Sequence, residues 1–327
     1  MNKHFVTLTS TTLALALLLV IGLSSTGRPV SAKIIPPLTI TAASTTIAAT
    51  QTLTLPQRNI YALTTDNMIY VLAPGTVGFT AVGRVPRTNG NLIGIDFRVS
   101  NKALYGLTDR GKLLLIDLTT TPLGATVVST LTPRFAGGFQ SLFDFNPVVD
   151  AIRIMGSNDQ NFAITSANGG TLNTTVVQTA LAYAAGDVNA GINPNLTGGA
   201  YNNNVAGAAN TIFYAIDYDL NTFVTIASKS ATGSSNTGGG QLQTIGPIVD
   251  PTGNPINLNP VVDIDIFTDA NRVNTLVGLN NETIFTISLS QINPNLALGT
   301  TQKVTAQRIP LTATPRADAF IDLAIQP

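Results

Sequence analysis

The sequence of 327 residues contains no cysteine and no tryptophan, and only one histidine, His4, and one glutamate, Glu282. Without cysteine the chain forms no disulfide, so its stability must come from packing and sheet closure. Catalysis by a Cys–His pair and zinc sites built from cysteine are excluded for the same reason. A calcium loop of the EF-hand type is also excluded, because no acidic loop is followed by the glutamate that such a loop needs.

Charged residues are scarce as well, at 10% of the chain, against about 25% in a typical soluble domain. The 17 basic and 17 acidic residues balance, and no stretch is strongly basic. We therefore expect no nucleic-acid partner and no polybasic contact with an anionic membrane surface. Plentiful Thr, Asn and Gly instead favour a sheet protein, with Thr on strands and Asn and Gly in turns.

The N-terminal segment has the pattern of a secretory signal peptide. Lys3 and His4 form a short basic region, residues 13–23 form an apolar stretch of 11 residues, and Val30-Ser31-Ala32 fits a cleavage site. Because the apolar stretch is too short to span a bilayer comfortably, we predict cleavage of residues 1–32 and an extracellular or periplasmic location. An uncleaved anchor is the alternative.

Cleavage after Ala32 would change the chemistry available to the protein. It would remove the only histidine and leave 15 basic against 17 acidic residues, a net charge of −2. Ser-His-Asp catalysis and His-ligated zinc would then be excluded too. No later apolar run reaches the roughly 18 residues of a membrane helix, so we expect no membrane span after signal cleavage.

Residues 92–131 contain four short β-rich runs separated by turns, and the rest of the chain repeats this pattern loosely. The runs are LIGIDF, ALYGLT, KLLLIDL and ATVVSTL, and Asp109-Arg110-Gly111 supplies a hairpin turn with glycine where positive φ is needed. Four strands in about 40 residues is the size of one propeller blade.

The two ends of the repeat region complete one another. The first unit, from Ile60, begins with what is the second strand of the other units, and the chain ends on a first-strand pattern, AFIDLAI, at residues 319–325. We predict an all-β propeller, with five four-stranded blades, closed by pairing the C-terminal strand with the N-terminal blade. Six blades is the alternative, because the inserts at residues 178–197 and 246–260 are long enough to contain further strands.

The predicted organisation is therefore a signal peptide at residues 1–32, a Thr/Ala-rich leader at residues 33–59, and a single propeller domain at residues 60–327. The leader contains Pro36, Pro37 and Pro56 and lacks clear alternation for most of its length. We interpret it as a mostly extended linker.

Several segments resemble a bacterial exported family, domain of unknown function 4394. The resemblance is carried by IYALTTDN at Ile60, LIGIDFRVSNKALYGLTDRGKLLLID at Leu92, FDFNPVVDAIRIMGSNDQN at Phe143 and AYNNNVAGAANTIFYAID at Ala200. It covers essentially all of the chain after the leader and implies a propeller-like fold. The family has no established activity, so the resemblance assigns no catalytic residue.

Four aspartates recur at equivalent places on the predicted first strands: Asp96, Asp144, Asp265 and Asp322. They could line the central channel and hold a cation through oxygen ligands. The alternative is that each carboxylate accepts hydrogen bonds from turn backbone of its own or the next blade. Because repetition in nearly every unit favours a role in the repeat itself, we predict that these four residues are structural.

One acidic residue per unit also falls in a hairpin turn, where Asp is favoured because its side chain bonds nearby backbone. These residues are Asp66, Asp109, Asp159, Asp219 and Glu282. In a propeller these turns share one face with the connections between blades. We expect that face to carry the candidate binding residues Arg84, Arg87 and Arg134, together with the two long inserts.

The sequence marks out no catalytic, cofactor-binding or metal-ligating residue, and we expect no cofactor. The predicted function is a non-enzymatic binding or surface-interaction module, with an extracellular glycan or protein as the candidate partner. A carbohydrate-active hydrolase that uses Asp carboxylates at the channel mouth is the alternative, because glycoside hydrolysis needs two carboxylates. A calcium-stabilised structural protein is a third hypothesis.

Overall fold

A computed structural model describes residues 55–166, 170–281, 283–312 and 319–327. The predicted signal peptide, most of the predicted leader and Glu282 lie outside the described residues. Residues 51–327 form one compact unit. The described part of this unit is all-β, with 21 strands and only short 3-10 helices. No helix in that part is long and apolar enough to cross a membrane.

Three of the sheets have four strands each, and neighbouring strands within each sheet run antiparallel. The first sheet contains β1 (Ile60–Thr64), β2 (Met68–Leu72), β3 (Thr80–Arg84) and the C-terminal strand β21 (Phe320–Ile325). The second contains β4 (Leu92–Arg98), β5 (Ala103–Thr108), β6 (Lys112–Asp117) and β7 (Gly124–Thr130). The third contains β8 (Ser141–Asn146), β9 (Ala151–Gly156), β10 (Asn161–Ser166) and β11 (Leu172–Val177).

The fourth sheet has nine strands and consists of two antiparallel four-stranded halves and one short extra strand. One half contains β13 (Leu196–Tyr201), β14 (Phe213–Asp217), β15 (Thr222–Ile226) and β16 (Gln241–Val249), with β12 (Ala182–Tyr183) paired beside β16. The other half contains β17 (Asp263–Thr268), β18 (Asn274–Asn280), β19 (Thr283–Ser288) and β20 (Val304–Ile309). A short parallel pairing of Ile248 with Val304 joins the halves.

The C-terminal strand pairs with the N-terminal sheet, as the sequence predicted. Strand β21 lies antiparallel to β1, with Ile325 opposite Ile60 and Asp322 opposite Leu63. The sheet therefore receives its first strand from the end of the chain and its other three from the beginning. This pairing removes a free sheet edge that would otherwise expose a row of backbone N–H and C=O groups.

Apolar side chains fill the spaces between neighbouring sheets, in five buried clusters among the described residues. Each cluster takes members from two adjacent sheets or halves. The cluster that contains Leu279 and Phe320 joins the half that begins with β17 to the first sheet. Representative pairs within a cluster are Leu63 with Leu92, Leu107 with Ile154, Leu142 with Phe213, Ile216 with Ile264, and Leu279 with Phe320. The architecture is propeller-like, with a nearly closed arrangement of sheets.

Two boundaries differ from the sequence prediction. The first strand of the fourth unit begins at Leu196, inside the expected insert of residues 178–197, and that insert also contains β12. The expected insert of residues 246–260 begins within β16, which continues to Val249. The Gly246-Pro247 pair resembles a loop in sequence. In the structure Gly246 has a φ of 152°, and an added Cβ there would lie 1.9 Å from the Gln302 carbonyl oxygen. Glycine is needed for the strand to continue past Gln302.

Candidate functional site

The four repeat aspartates all lie on strands at the inner edges of the sheets, and a fifth, Asp263, joins them from the start of β17. All five side chains are buried, with 1–3% of their surface exposed. The hydrolase hypothesis expected carboxylates at a channel mouth without naming them, and burial keeps these five carboxylates out of contact with solvent.

Each of the four predicted aspartates accepts a hydrogen bond from the backbone of the next inner strand. The donors are strand N–H groups, whereas the sequence interpretation placed the donors in turns. The bonds run from Ile95 N to Asp322 (3.1 Å), from Phe145 N to Asp96 (2.8 Å), from Tyr201 N to Asp144 (3.3 Å) and from Ile325 N to Asp265 (2.6 Å). These bonds connect β21 to β4, β4 to β8, β8 to β13, and β17 to β21.

The remaining neighbours, β13 and β17, have no equivalent aspartate, because β13 carries Gly198 and Gly199 at its centre. Asp263, on β17, supplies the carboxylate that connects this pair of strands. It accepts hydrogen bonds from Gly199 N on β13 and, at 2.9 Å, from Leu323 N on β21. A Cβ at Gly198 would lie 2.6 Å from the Asp263 Cα, so the close approach of the two strands requires glycine. The sequence interpretation missed Asp263 because only the second aspartate of Asp-Ile-Asp aligned with the other units.

Burial and mutual repulsion govern the charge state of this group of five aspartates. Burial is the largest cause that raises the pKa of Asp96, Asp144 and Asp322, and nearby carboxylates raise each of them further. Burial raises the pKa of Asp265 to about 6. The Asp322 Oδ2 atom is buried and has no hydrogen-bond partner among the described residues. Within the described ranges no three acidic or histidine side chains are arranged to hold a metal ion.

A cavity of about 190 Å³ lies where the inner strands begin. Its walls include Ile93, Ser141 and Ile321, and none of its lining residues carries a carboxylate. The Gln140 amide crosses this end and donates to the Ile321 carbonyl, which ties the loop before β8 to the C-terminal strand. The residues that line this cavity therefore include no pair of acids of the kind that glycoside hydrolysis needs.

Two of the three predicted binding arginines are bonded to the nearest hairpin turn. Arg84 forms an ion pair with Asp66 at 2.5 Å and also donates to its carbonyl. Arg87 donates to the Thr65 carbonyl at 3.0 Å. Both guanidinium groups therefore hold the β1–β2 turn against the connection to the second sheet.

Arg134, the third predicted arginine, is exposed and makes no hydrogen bond or ion pair with any described residue. It lines a cleft of about 360 Å³ between the connection to β8 and the β9–β10 turn, a volume at the lower end of the range for small-molecule sites. The other lining residues are Pro133, Asn158, Asp159, Gln160, Asn161, Phe162, Val177, Gln178 and Ala180.

Asp159 lines this cleft and differs from the acids of the other hairpin turns in its hydrogen bonding. Asp66 pairs with Arg84, Asp109 accepts from Asn91 N at 3.0 Å, and Asp219 accepts from the Asn195 amide at 2.7 Å. In contrast, Asp159 Oδ1 is buried without a hydrogen-bond partner in the described chain. Burial raises the pKa of Asp159, and the nearby Asp217 carboxylate raises it further.

The floor of the cleft is held by a buried arginine, Arg153, on β9. Its guanidinium donates to Asn161 Oδ1 at 2.7 Å, to Thr237 Oγ1 at 2.7 Å and to Gln178 Oε1. Buried cations need such partners, because an unpaired one is costly to desolvate. Asn161 and Gln178, which also line the cleft, are therefore fixed from beneath.

An aromatic pair borders the same turn. Phe139 is 56% exposed, and its ring lies edge-on to Tyr218 with the ring centroids 5.4 Å apart. The Phe139 backbone N–H donates to Ser157 Oγ at 3.1 Å, at the start of the turn that forms the cleft wall. Sequence reasoning did not single out either ring, because Phe139 and Tyr218 belong to different repeats.

The chain matches the family described as domain of unknown function (DUF4394) over residues 85–313. It belongs to this family. The match spans the strands that carry Asp96, Asp144 and Asp265, and it includes the cleft. The sequence-based resemblance is thereby confirmed. No curated protein matches the chain.

Solved structures with similar folds are distant in sequence. A Bacteroides thetaiotaomicron protein of unknown function aligns with a TM-score of 0.44 and 13% identity, over 69% of this chain and 55% of that one. A chain from a nidogen/laminin complex aligns with a TM-score of 0.42 and 12% identity, over 82% of this chain and 98% of that one. The Myceliophteria thermophila Cps50 (Swd1) β-propeller domain aligns with a TM-score of 0.36 and 11% identity, over 79% of this chain and 73% of that one. This chain thus spans about half of the first of these proteins. At these scores the matches carry no information about a ligand.

Proposed function

We propose that this protein is an exported, non-enzymatic binding module whose ligand occupies the cleft between Arg134 and Asp159. One observation carries the proposal: a cation and an acid that lack partners elsewhere in the described chain line the same cleft. Unpaired charged groups at a surface cleft are available to a ligand, whereas Arg84 and Arg87 are already bonded to backbone.

The fold that presents this cleft is, in our proposal, a propeller of five blades. Five buried clusters, each shared by two neighbouring sheets or halves, support this number. The five aspartates support it too, because their hydrogen bonds connect successive inner strands from β21 through β4, β8, β13 and β17 back to β21. We propose that their role is to hold the ring together.

Export is supported by the sequence pattern of residues 1–32. Cell fractionation followed by N-terminal sequencing of the exported protein tests it. We expect the protein outside the cytoplasm with Lys33 as its first residue. Recovery of a cytoplasmic chain, or of a membrane-held chain that begins at its original N-terminus, would contradict cleaved export.

The binding proposal is tested with ligand-observed NMR on the purified protein against a panel of amino acids, dipeptides, nucleosides, monosaccharides and oligosaccharides. We expect at least one class to bind, and its signal to be lost in Arg134→Gln and Asp159→Asn. Arg308→Gln is the matched control, because Arg308 is an exposed arginine on β20 outside the cleft. Its binding should equal that of the wild type.

Two results would overturn the proposal. If no panel member gives a signal that depends on Arg134 or Asp159, the cleft is not the binding site. If mass spectrometry shows that a bound compound is converted during incubation, the protein is an enzyme. Melting curves of each variant separate a lost ligand contact from a lost fold.

A further inference from the structure

We infer that the cleft and the Phe139–Tyr218 pair together bind an acidic oligosaccharide, with a uronate carboxylate on Arg134 and a sugar hydroxyl on Asp159. This inference rests on the proposed function of the cleft and names the chemical class of its ligand.

The amide oxygens in the cleft are already occupied by the protein. Gln160 Oε1 accepts from Ala136 N at 2.7 Å and from Gly137 N at 3.0 Å. Asn158 Oδ1 accepts from Gln160 N at 3.3 Å, and Gln178 Oε1 accepts from Arg153. The amide nitrogens of Asn158, Gln160 and Gln178 make no hydrogen bond to other described residues. The cleft therefore offers several free N–H donors.

Arg134 adds a guanidinium fork to these donors. Neither ion pair in the described chain involves it, and a planar guanidinium matches a carboxylate with two parallel hydrogen bonds. A ligand that fits many donors is rich in acceptors and carries an anionic group. An amino acid or other ammonium compound fits less well, because the cleft offers it one carboxylate and many competing donors.

Asp159 adds a carboxylate to the cleft lining, and neither of the carboxylate oxygens accepts a hydrogen bond from another described residue. A hydroxyl that donates to this carboxylate would give it a partner without introducing another charge. A phosphate is disfavoured because its two negative charges would face Asp159, while Arg134 is the one arginine among the residues that line the cleft. A carboxylate with adjacent hydroxyls, which is the composition of a uronic acid, meets both requirements.

The aromatic pair extends the site beyond one sugar ring. Phe139 is bonded through its backbone to Ser157, next to the turn residues that line the cleft. Its exposed ring lies edge-on to Tyr218 and gives an apolar surface close to this turn. Sugar rings combine hydroxyl edges with apolar C–H faces, so an oligosaccharide can place one residue in the cleft and pack a neighbouring residue on the aromatic pair.

The test is calorimetric titration of the purified protein with tetragalacturonic acid, with maltotetraose as the neutral oligosaccharide of equal length and uridine monophosphate as the phosphate compound. We expect the acidic tetramer to bind at least tenfold more tightly than the neutral one, because a charge-assisted contact to arginine is present only in the former. Arg134→Gln should remove this difference, and Arg308→Gln should keep it.

Two further variants assign the other contacts. Asp159→Asn should weaken binding of the acidic tetramer by about tenfold, because the accepting carboxylate is lost. Phe139→Ala should weaken the tetramer more than it weakens monomeric galacturonic acid, which is too short to reach the aromatic pair. Equal effects of Phe139→Ala on monomer and tetramer would contradict the extended site.

The outcomes separate the two proposals. The acidic oligosaccharide is overturned if the acidic and neutral tetramers bind equally well, or if uridine monophosphate binds more tightly. If Asp159→Asn abolishes that binding, the cleft is still the binding site. Binding that is unchanged by Arg134→Gln, Asp159→Asn and Phe139→Ala overturns both. Failure of all three compounds to bind overturns the acidic oligosaccharide, and the wider ligand panel then decides the proposed function.

Discussion

The Asp322 carboxylate accepts a hydrogen bond from Ile95 N at 3.1 Å, across 227 residues of sequence. The same strand, β21, also donates from Ile325 N to Asp265 on its other neighbour at 2.6 Å. The C-terminal strand is therefore bonded to β4 and β17 through carboxylates and to β1 through the sheet ladder. This arrangement connects both ends of the described repeat region.

The aspartates of the inner strands should respond unequally to replacement by asparagine. Both Asp265 oxygens accept backbone N–H bonds, from Ile266 and Ile325. Asparagine has one acceptor oxygen, so Asp265→Asn leaves one N–H facing an amide group, and we expect a loss of about 1–3 kcal/mol in the free energy of unfolding. Urea denaturation measures it.

Asp322→Asn is the matched control for that experiment. Only Asp322 Oδ1 has a partner, and Oδ2 has none among the described residues. An amide group can replace Oδ2 without losing a hydrogen bond, and the substitution removes an ionisable group close to Asp263 and Asp96. We expect a change within about 1 kcal/mol. Equal destabilisation by both substitutions would contradict the assigned hydrogen bonds.

Stability should fall as pH rises from about 5 to 7. The five buried aspartates have raised pKa values in the folded state, about 6 for Asp265, against about 3.9 in an unfolded chain. Between these values the unfolded chain releases protons that the folded chain keeps, so raising the pH favours unfolding. Between its unfolded and folded pKa values, each such group lowers the free energy of unfolding by up to about 1.4 kcal/mol per pH unit.

The opposite trend applies at lower pH. Hydrogen bonds lower the pKa of Asp117, and the Thr252 and Asn254 bonds lower that of Asp250 to about 2. The stability that these groups contribute is lost as pH falls below about 4. Melting temperatures should therefore peak near pH 4–5. A steady rise in melting temperature from pH 5 to 7 would show that the buried aspartates are ionised at little cost.

The closure by β21 should be a major source of stability. Phe320 is buried and packs against Phe79 and Tyr70, with ring centroids 4.9 and 5.5 Å apart. We expect Phe320→Ala to cost about 3–5 kcal/mol in the free energy of unfolding, and deletion of residues 319–327 to cost more because it also exposes sheet edges. Val77→Ala, at a 52% exposed position, is the control and should change little. A truncated chain with the wild-type melting temperature would contradict closure.

Asn67 should be required at the β1–β2 turn. It is fully buried with a φ of 64°, donates to the Gly90 carbonyl at 3.2 Å and accepts from Leu92 N at 2.8 Å. Asn67→Ala removes these bonds and leaves a non-glycine residue at positive φ, so we expect a loss of about 2–4 kcal/mol. Asn67→Gly should be about 1 kcal/mol less harmful than alanine, because glycine tolerates that φ. An alanine variant as stable as glycine would show that the backbone is not strained.

The sequence by itself determined what depends on local pattern. Strand and turn positions in residues 92–118, the recurrence of Asp96, Asp144, Asp265 and Asp322, and the first-strand character of residues 319–325 are all visible as alternation and spacing. Pairing within a sheet joins strands that are close in sequence, so each repeat predicts its own sheet. The pairing of β21 with β1 was predictable only because two incomplete units complemented each other.

Only the tertiary structure decided which side chains meet between sheets. Arg84, Arg87 and Arg134 are equivalent in sequence terms, but only Arg134 is left unbonded beside a cleft. Phe139 and Tyr218 come together from different repeats. Likewise, Asp263 replaces the aspartate that the fourth unit lacks. These contacts depend on the angle and separation at which twisted sheets pack, and the period of two along a strand carries no information about either.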